Sequence, residues 1–156
     1  MPDLVAPSAV SDFLLVESRE RGDLLTNLKL QKLLYYSQAW HLALQNQPLF
    51  NEDFQAWIHG PVLPSQYHRF KDAEWRALTL DVQAPTLTMS VKDHLLEIVD
   101  VFGSESAVAL ELMTHQEQPW IEARKGLPAD APSSAVISKA TMRDYYRSLS
   151  GEDKKN

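Results

Sequence analysis

The chain of 156 residues suits one domain with one core, and 44% hydrophobic with 23% charged residues is typical of soluble globular proteins, not disordered or membrane proteins. The net charge of −6 disfavours a nucleic-acid partner, because phosphate backbones attract cationic surfaces. The absence of cysteine excludes disulfides, thiolate metal sites and cysteine nucleophiles.

The N-terminal residues lack the basic and apolar regions of a secretory signal, and no apolar run has membrane-spanning length. We therefore expect a cytoplasmic protein without membrane association. We also expect residues 1–150 to form a single domain and the polar residues 151–156 to form a flexible tail.

Two helices are predicted near the N-terminus. Ser8 is placed to cap the first helix, and Gly22-Asp23 is placed to end it. The second helix begins after a Thr26 cap and continues to about residue 45, with apolar side chains on two of its sides. We predict that this helix is buried on both of these sides and forms the centre of the fold.

Two polar stripes interrupt the apolar surface of this central helix. Gln31 and Gln38 belong to one stripe, whereas Lys29, Lys32 and Tyr36 form the other on the roughly opposite side. The second stripe has two interpretations. In the first, the lysines are solvated over a partly buried helix. In the second, the stripe presents the lysine charges and the Tyr36 hydroxyl group to an acidic or polar partner.

Short apolar segments separated by a polar turn predict a β-hairpin over about residues 49–58. The following His59-Gly60-Pro61 is predicted to be a stiff turn, because glycine permits unusual dihedrals and proline fixes φ. This turn either aims the hairpin at the helical body or presents His59 and backbone groups to a partner.

Four further helical segments are predicted after residue 64, with an irregular connection over about 73–89. These four segments are expected at 65–71, 90–102, 104 or 106 to 113, and 138–149. A fifth, shorter helix is expected to begin at Pro119. The class is therefore mainly α, a bundle of about six to seven helices with one small hairpin. Three tryptophans are interpreted as core side chains: Trp40, Trp57 and Trp120.

No arrangement of residues points strongly to catalysis or metal binding. The five histidines have no paired helical spacing, and no hydrolase elbow, phosphate-binding loop or dinucleotide-binding motif occurs. We therefore predict no catalytic residue, no metal site and no cofactor. A small hydrolase or transferase that uses His115 and scattered carboxylates remains the enzymatic alternative.

Three blocks of sequence resemble the SocA-like antitoxin family, also known as the Panacea domain and as GepA-like in phage contexts. The first block is LTNLKLQKLLYY at 25–36, continued by AWHL at 39–42. The second comprises PLF at 48–50, FQAW at 54–57, GPV at 60–62, Pro64 and Tyr67, and the third comprises His115, Pro119-Trp120 and Ala123-Arg124. The blocks cover most of residues 8–149.

The resemblance implies a compact, mostly helical domain that acts as an antitoxin of a bacterial or prophage toxin–antitoxin pair. Such a protein neutralises its cognate toxin by direct binding, and one branch of the family resembles an adaptor that delivers the toxin to a Clp-type protease. Partners of the family are varied and include alarmone-synthetase-like toxins. The candidate toxin contacts are Lys29, Lys32, Tyr36, His59, Gly60 and Pro61.

Overall fold

The longest helix, α2 (Asn27–Gln45), lies at the centre of the fold. The Thr26 side chain accepts a hydrogen bond from the Lys29 backbone N–H at 3.2 Å, and Asn46 ends the helix in a left-handed conformation. In the computed structural model, which describes residues 4–150, every residue over 29–39 is buried. The predicted central helix is confirmed, but it is covered on all sides along this stretch, not on two.

The other helices surround α2 and bury their apolar faces against it or against one another. They are α1 (Pro7–Glu20), α3 (Pro64–Arg69), α4 (Met89–Phe102), α5 (Ala107–His115), α6 (Gln118–Arg124) and α7 (Lys139–Leu149), with one 3₁₀ turn at Lys71–Ala73. Seven α-helices within residues 4–150 confirm the mainly α class. None of these helices has both the length and the apolarity needed to cross a membrane.

Most helix boundaries follow the predicted caps. Ser106 and Ser138 cap α5 and α7 through their side chains, whereas Thr88 replaces the predicted Ser90 as the cap of α4. Pro7 occupies the first turn of α1, so Ser8 does not cap it. The single domain over 1–150 stays a prediction, and the predicted flexible tail, 151–156, lies outside the described residues.

The β-hairpin exists, but its predicted position at 49–58 is wrong. Strands β1 (Gln55–Trp57) and β2 (Gly60–Val62) pair antiparallel, so the expected stiff turn supplies the second strand. Gly60 has φ of +105°, and a Cβ there would lie 2.7 Å from Lys32 Cε. The turn therefore falls where glycine permits both the dihedral and the close approach of α2.

Polar side chains of α2 hold residues 49–63 in place. Gln38 accepts from the Leu49 N–H at 2.7 Å and donates to the Phe50 carbonyl at 2.8 Å. These bonds explain why residues 49–50 are not a strand, because their backbone groups are already paired with a helix side chain. Gln31 accepts from the Leu63 N–H at 2.9 Å in the same manner.

The opposite side of the hairpin is fixed by the third block of the sequence. Arg124 donates to the Ala56 carbonyl at 2.9 Å, and Trp120 donates from its indole nitrogen to the Trp57 carbonyl at 2.8 Å. The Ala56 N–H bonds to the carbonyl of Ala135 at 2.8 Å. Residues from three separate parts of the chain thus satisfy the hairpin backbone, which leaves it little freedom to move.

Lys32 is the most deeply buried charged residue of α2. Its side chain is 0% exposed, and its ammonium group donates to the Pro61 carbonyl at 3.0 Å. Burial lowers the pKa of Lys32 to about 7, and the charge of Glu111 opposes this shift. The lysine thus acts as an internal donor for the hairpin instead of a solvated surface charge.

A half-buried carboxylate, that of Glu117, joins α2 to α7. Tyr36 and Tyr146 donate to the same oxygen of Glu117 at 2.8 and 2.7 Å, and the Tyr146 hydroxyl lies 3.0 Å from that of Tyr35. Burial raises the pKa of Glu117, and these two hydrogen bonds oppose the rise. Tyr36 therefore belongs to an internal hydrogen-bond network, and Tyr146 joins α7 to it.

We predict that Lys32→Met flattens the pH dependence of stability between pH 7 and pH 9. With a folded pKa near 7, the unfolded chain binds more protons across this window, so stability rises with pH in the native protein. The native protein should gain about 2 kcal/mol relative to the variant, as measured by urea unfolding. Lys92→Met removes an exposed lysine as the control, and parallel native and Lys32→Met profiles would contradict the prediction.

Glu117 offers a second stability test with two matched substitutions. Glu117→Gln keeps an acceptor oxygen for both tyrosines and removes the charge, so its stability at pH 7 should equal or exceed that of the native protein. Glu117→Ala removes the acceptor of the Tyr36 hydroxyl, while Tyr146 can still donate to the Tyr35 hydroxyl at 3.0 Å, so the variant should lose about 1–3 kcal/mol of stability.

Because burial raises the folded pKa, the native carboxyl is favoured at low pH and loses stability relative to Glu117→Gln as pH rises through that pKa. Thermal unfolding of the three proteins from pH 4 to pH 8 measures both effects. Equal losses in the two variants would contradict the proposed role of the acceptor oxygen.

Candidate protein-binding site

A groove of about 410 Å³ opens beside the hairpin turn, at the N-terminal end of α2. Its lining combines that helix, the hairpin, α3 and the segment after the 3₁₀ turn. We call it the tryptophan groove, lined by Asn27, Leu28, Gln31, Trp57, Ile58, His59, Val62, Tyr67, Glu74, Trp75, Pro132 and Ser133. Apolar and aromatic side chains dominate this lining, which is typical of sites that bind apolar groups.

The two tryptophans of the groove differ in how firmly they are held. Trp57 packs edge-on against Tyr67 with ring centroids 4.9 Å apart, and its indole N–H donates to Gln55 at 2.8 Å. Trp75 is 81% exposed, the highest exposure among the large hydrophobic side chains described. One wall of the groove is therefore fixed, whereas the other is a tryptophan available to a partner.

Trp75 follows an unusual backbone conformation at Glu74. Glu74 has φ of 56° and ψ of −119°, a combination that costs free energy for a residue with a side chain. The segment is fixed downstream, because the Leu78 N–H bonds to the Leu25 carbonyl at 2.7 Å and Ala77 forms a β-bridge with Thr26. Anchoring on α2 therefore maintains the conformation that presents Trp75.

Two carboxylates lie at the groove. Glu74 belongs to the lining, and none of the ion pairs formed within residues 4–150 includes it. Glu111 lies beside the groove, with an oxygen 3.1 Å from Nδ1 of His59. The groove is thus apolar at its walls and acidic at its margin.

The candidate contact residues predicted from sequence occupy three separate places. Gly60 and Pro61 are buried beneath the groove with Lys32, while the 70% exposed His59 side chain lies in the lining. Lys29 is buried elsewhere, where its ammonium group bonds to Asp23 at 2.8 Å and to the Gly103 carbonyl at 2.7 Å. The lysines and Tyr36 therefore do not form an exposed patch in this structure.

Sequence reasoning missed most of the groove. The sequence predicts a core position for Trp57, but its side chain is half-buried in the groove. Trp120 is buried as predicted, and Trp40 is half-buried against the core. Trp75 drew no prediction because it lies in the irregular 73–89 connection. The available signal was a tryptophan within the polar run DAEWR, where no helical or strand pattern buries it.

Two further histidines, His94 and His115, are engaged in contacts inside the fold. His115 stacks on Trp120 with ring centroids 4.1 Å apart, and burial lowers its pKa. Burial likewise lowers the pKa of His94, which bonds to the Ser37 carbonyl at 2.8 Å. Within residues 4–150, no group of three or more metal-ligating side chains comes together.

Comparisons with known proteins agree with the resemblance of the three blocks. The family described as "Antitoxin SocA-like, Panacea domain" matches residues 30–121, more than half of the chain. The chain is also 27% identical over 159 aligned positions to Antitoxin SocA of Caulobacter vibrioides (strain NA1000 / CB15N). That alignment covers 94% of this chain and 85% of the relative.

No solved structure matches the chain. The matched region begins at residue 30, near the start of α2, and ends at residue 121, within α6. It therefore contains the hairpin and most of the tryptophan groove. On the extent of this match, the chain belongs to the SocA-like antitoxin family and carries its Panacea domain.

Proposed function

We propose that this protein is the antitoxin of a bacterial or prophage toxin–antitoxin pair and neutralises its cognate toxin by direct binding in the cytoplasm. Family membership and the similarity to Antitoxin SocA support an antitoxin role. The structural observation that carries the proposal is the tryptophan groove, where an 81% exposed tryptophan lies beside a firmly held aromatic wall.

Protein interfaces obtain most of their binding energy from a few aromatic or arginine side chains in a water-excluding centre. Trp57, Tyr67 and Trp75 supply such side chains within one groove. Because the side chains of Trp120 and Arg124 donate hydrogen bonds to the hairpin backbone, little conformational entropy is lost when a partner binds there. The arrangement favours binding without a chemical step.

The six predicted contact residues take different parts in this proposal. His59 is exposed in the groove and is proposed to touch the toxin directly. Lys32, Gly60 and Pro61 are proposed to support it, because the Lys32 bond to the Pro61 carbonyl fixes the backbone that follows His59. Lys29 and Tyr36 are buried and are proposed not to contact the toxin. They contribute to toxin binding only by stabilising α2.

Co-expression with the protein encoded next to this chain tests the proposal. Induction of the neighbour alone should stop growth, and simultaneous expression of this chain should restore colony formation. The two proteins should also copurify at equal stoichiometry when one carries an affinity tag. A neighbour that is harmless alone, or equally toxic beside this chain, would refute the antitoxin assignment.

The lifetime of the toxin distinguishes blocking from delivery to a protease. Neutralisation by binding should leave the toxin half-life unchanged or longer, because a bound, folded toxin is protected from cleavage. A pulse-chase measurement in cells with and without this chain provides the value. A half-life that shortens only in cells containing a Clp-type protease would instead support the adaptor mechanism.

A further inference from the structure

We infer that the tryptophan groove binds an apolar or aromatic side chain of the toxin that is flanked by a basic residue. This inference rests on the proposed antitoxin function and assigns the surface and the chemistry of its partner. Its basis is the juxtaposition of exposed Trp75, the fixed wall formed by Trp57 and Tyr67, and the unpaired carboxylate of Glu74.

The apolar part of the partner follows from the walls. Trp57 and Tyr67 are fixed by mutual packing and by the Trp57 bond to Gln55, so this side of the groove keeps its shape. Trp75 lines the other side and is 81% exposed, so its indole ring is accessible to an inserted group. A large aromatic side chain buries roughly 150–250 Å², which makes such an insertion a main source of affinity.

The basic part of the partner follows from charge. Glu74 lines the groove without an ion-pair partner among residues 4–150, and Glu111 adds a second carboxylate beside His59. The basic residues nearest in sequence, Lys71 and Arg76, do not line the groove, and Arg76 bonds to the Asp72 carbonyl at 3.1 Å. A partner cation that contacts Glu74 would displace no ion pair formed within residues 4–150, whereas Glu111 is already paired with His59.

Two other occupants fit the groove less well. Residues 151–156, GEDKKN, contain no apolar side chain large enough to fill it. A second copy that used the same groove would bring the Glu74 carboxylates of both copies toward one another, since a two-fold contact repeats each surface on itself. Electrostatic repulsion between like charges opposes that arrangement.

The backbone conformation of Glu74 is an independent reason to assign the groove to partner binding. A strained backbone conformation persists only where the surroundings enforce it, and such positions concentrate at ligand-binding sites. Here the conformation presents Trp75 outward, while the Thr26–Ala77 bridge and the Leu78 bond to Leu25 prevent relaxation on the downstream side.

The test measures how well groove variants bind and neutralise the toxin identified by the co-expression experiment above. Trp75→Ala should weaken toxin binding at least about 30-fold, the loss expected for a hot-spot tryptophan. Glu74→Lys should weaken it about tenfold or more, and higher salt should weaken the native complex more than the Glu74→Lys complex. Titration calorimetry gives the affinities, and colony formation gives the neutralisation.

A smaller apolar pocket at the C-terminal end of α2 supplies matched controls. Leu44 is 56% exposed there, and Glu97 lines the same pocket. Leu44→Ala and Glu97→Lys make the same kinds of change at an apolar, acidic-rimmed surface remote from the groove. Both control variants should bind and neutralise the toxin like the native protein, and thermal unfolding should verify that all four variants are folded.

The outcomes separate this inference from the function on which it rests. If the native protein fails to neutralise, the antitoxin proposal fails and the groove assignment fails with it. If the native protein neutralises and folded Trp75→Ala does so with unchanged affinity, only the groove assignment is overturned. Sedimentation of the chain alone should give a monomer, and a dimer that Trp75→Ala abolishes would instead assign the groove to a second copy.

Discussion

The fold depends on hydrogen bonds between polar side chains of a buried helix and backbone groups of the non-helical segment around it. In α2, Gln31 bonds to Leu63 and Lys32 bonds to Pro61. Gln38 bonds to both Leu49 and Phe50. A buried backbone group without a partner costs about 1–3 kcal/mol, so these contacts determine where the chain can run irregularly. Together with the bonds from Trp120, Arg124 and Ala135, these side chains fix the position of the hairpin and therefore of the groove beside it.

Two ionisable groups contact the same side of α2 about one turn apart: Lys32 is buried and Glu117 is half-buried, and they do not form an ion pair with each other. Lys32 donates to the hairpin, whereas Glu117 accepts from Tyr36 and Tyr146 at the contact between α2 and α7. Burial shifts the pKa of each toward the neutral form. Each group opposes folding by its desolvation, yet each also satisfies polar groups that an apolar replacement would leave unpaired. The hydrogen bonds of Lys32 and Glu117 therefore favour one arrangement of the elements around α2.

Hydrogen bonds from several parts of the chain hold the proposed binding surface in place. The hairpin is held by its bonds to α2, Arg124 and Trp120, while the Glu74 to Leu78 segment is attached to α2 near Thr26. The tryptophan groove lies between these two attachments, so its shape depends on the same helix that organises the core. In this chain the first sequence block therefore supplies both buried polar side chains that hold the hairpin and three residues of the groove lining, Asn27, Leu28 and Gln31.

The sequence by itself determined the helices and the class. Periodicity identified α2 with its Thr26 cap, and local signals placed the starts of α5, α6 and α7 at Ser106, Pro119 and Ser138 within a residue or two, because a helix is built from contacts within a few residues. Only the tertiary structure decided the hairpin register and the burial of Lys29, Lys32 and Tyr36, since their partners lie far along the chain. The same holds for the groove: Trp75 is exposed because Glu74 and the bridge to Thr26 direct it outward, and no periodicity encodes a contact between residues so distant in sequence.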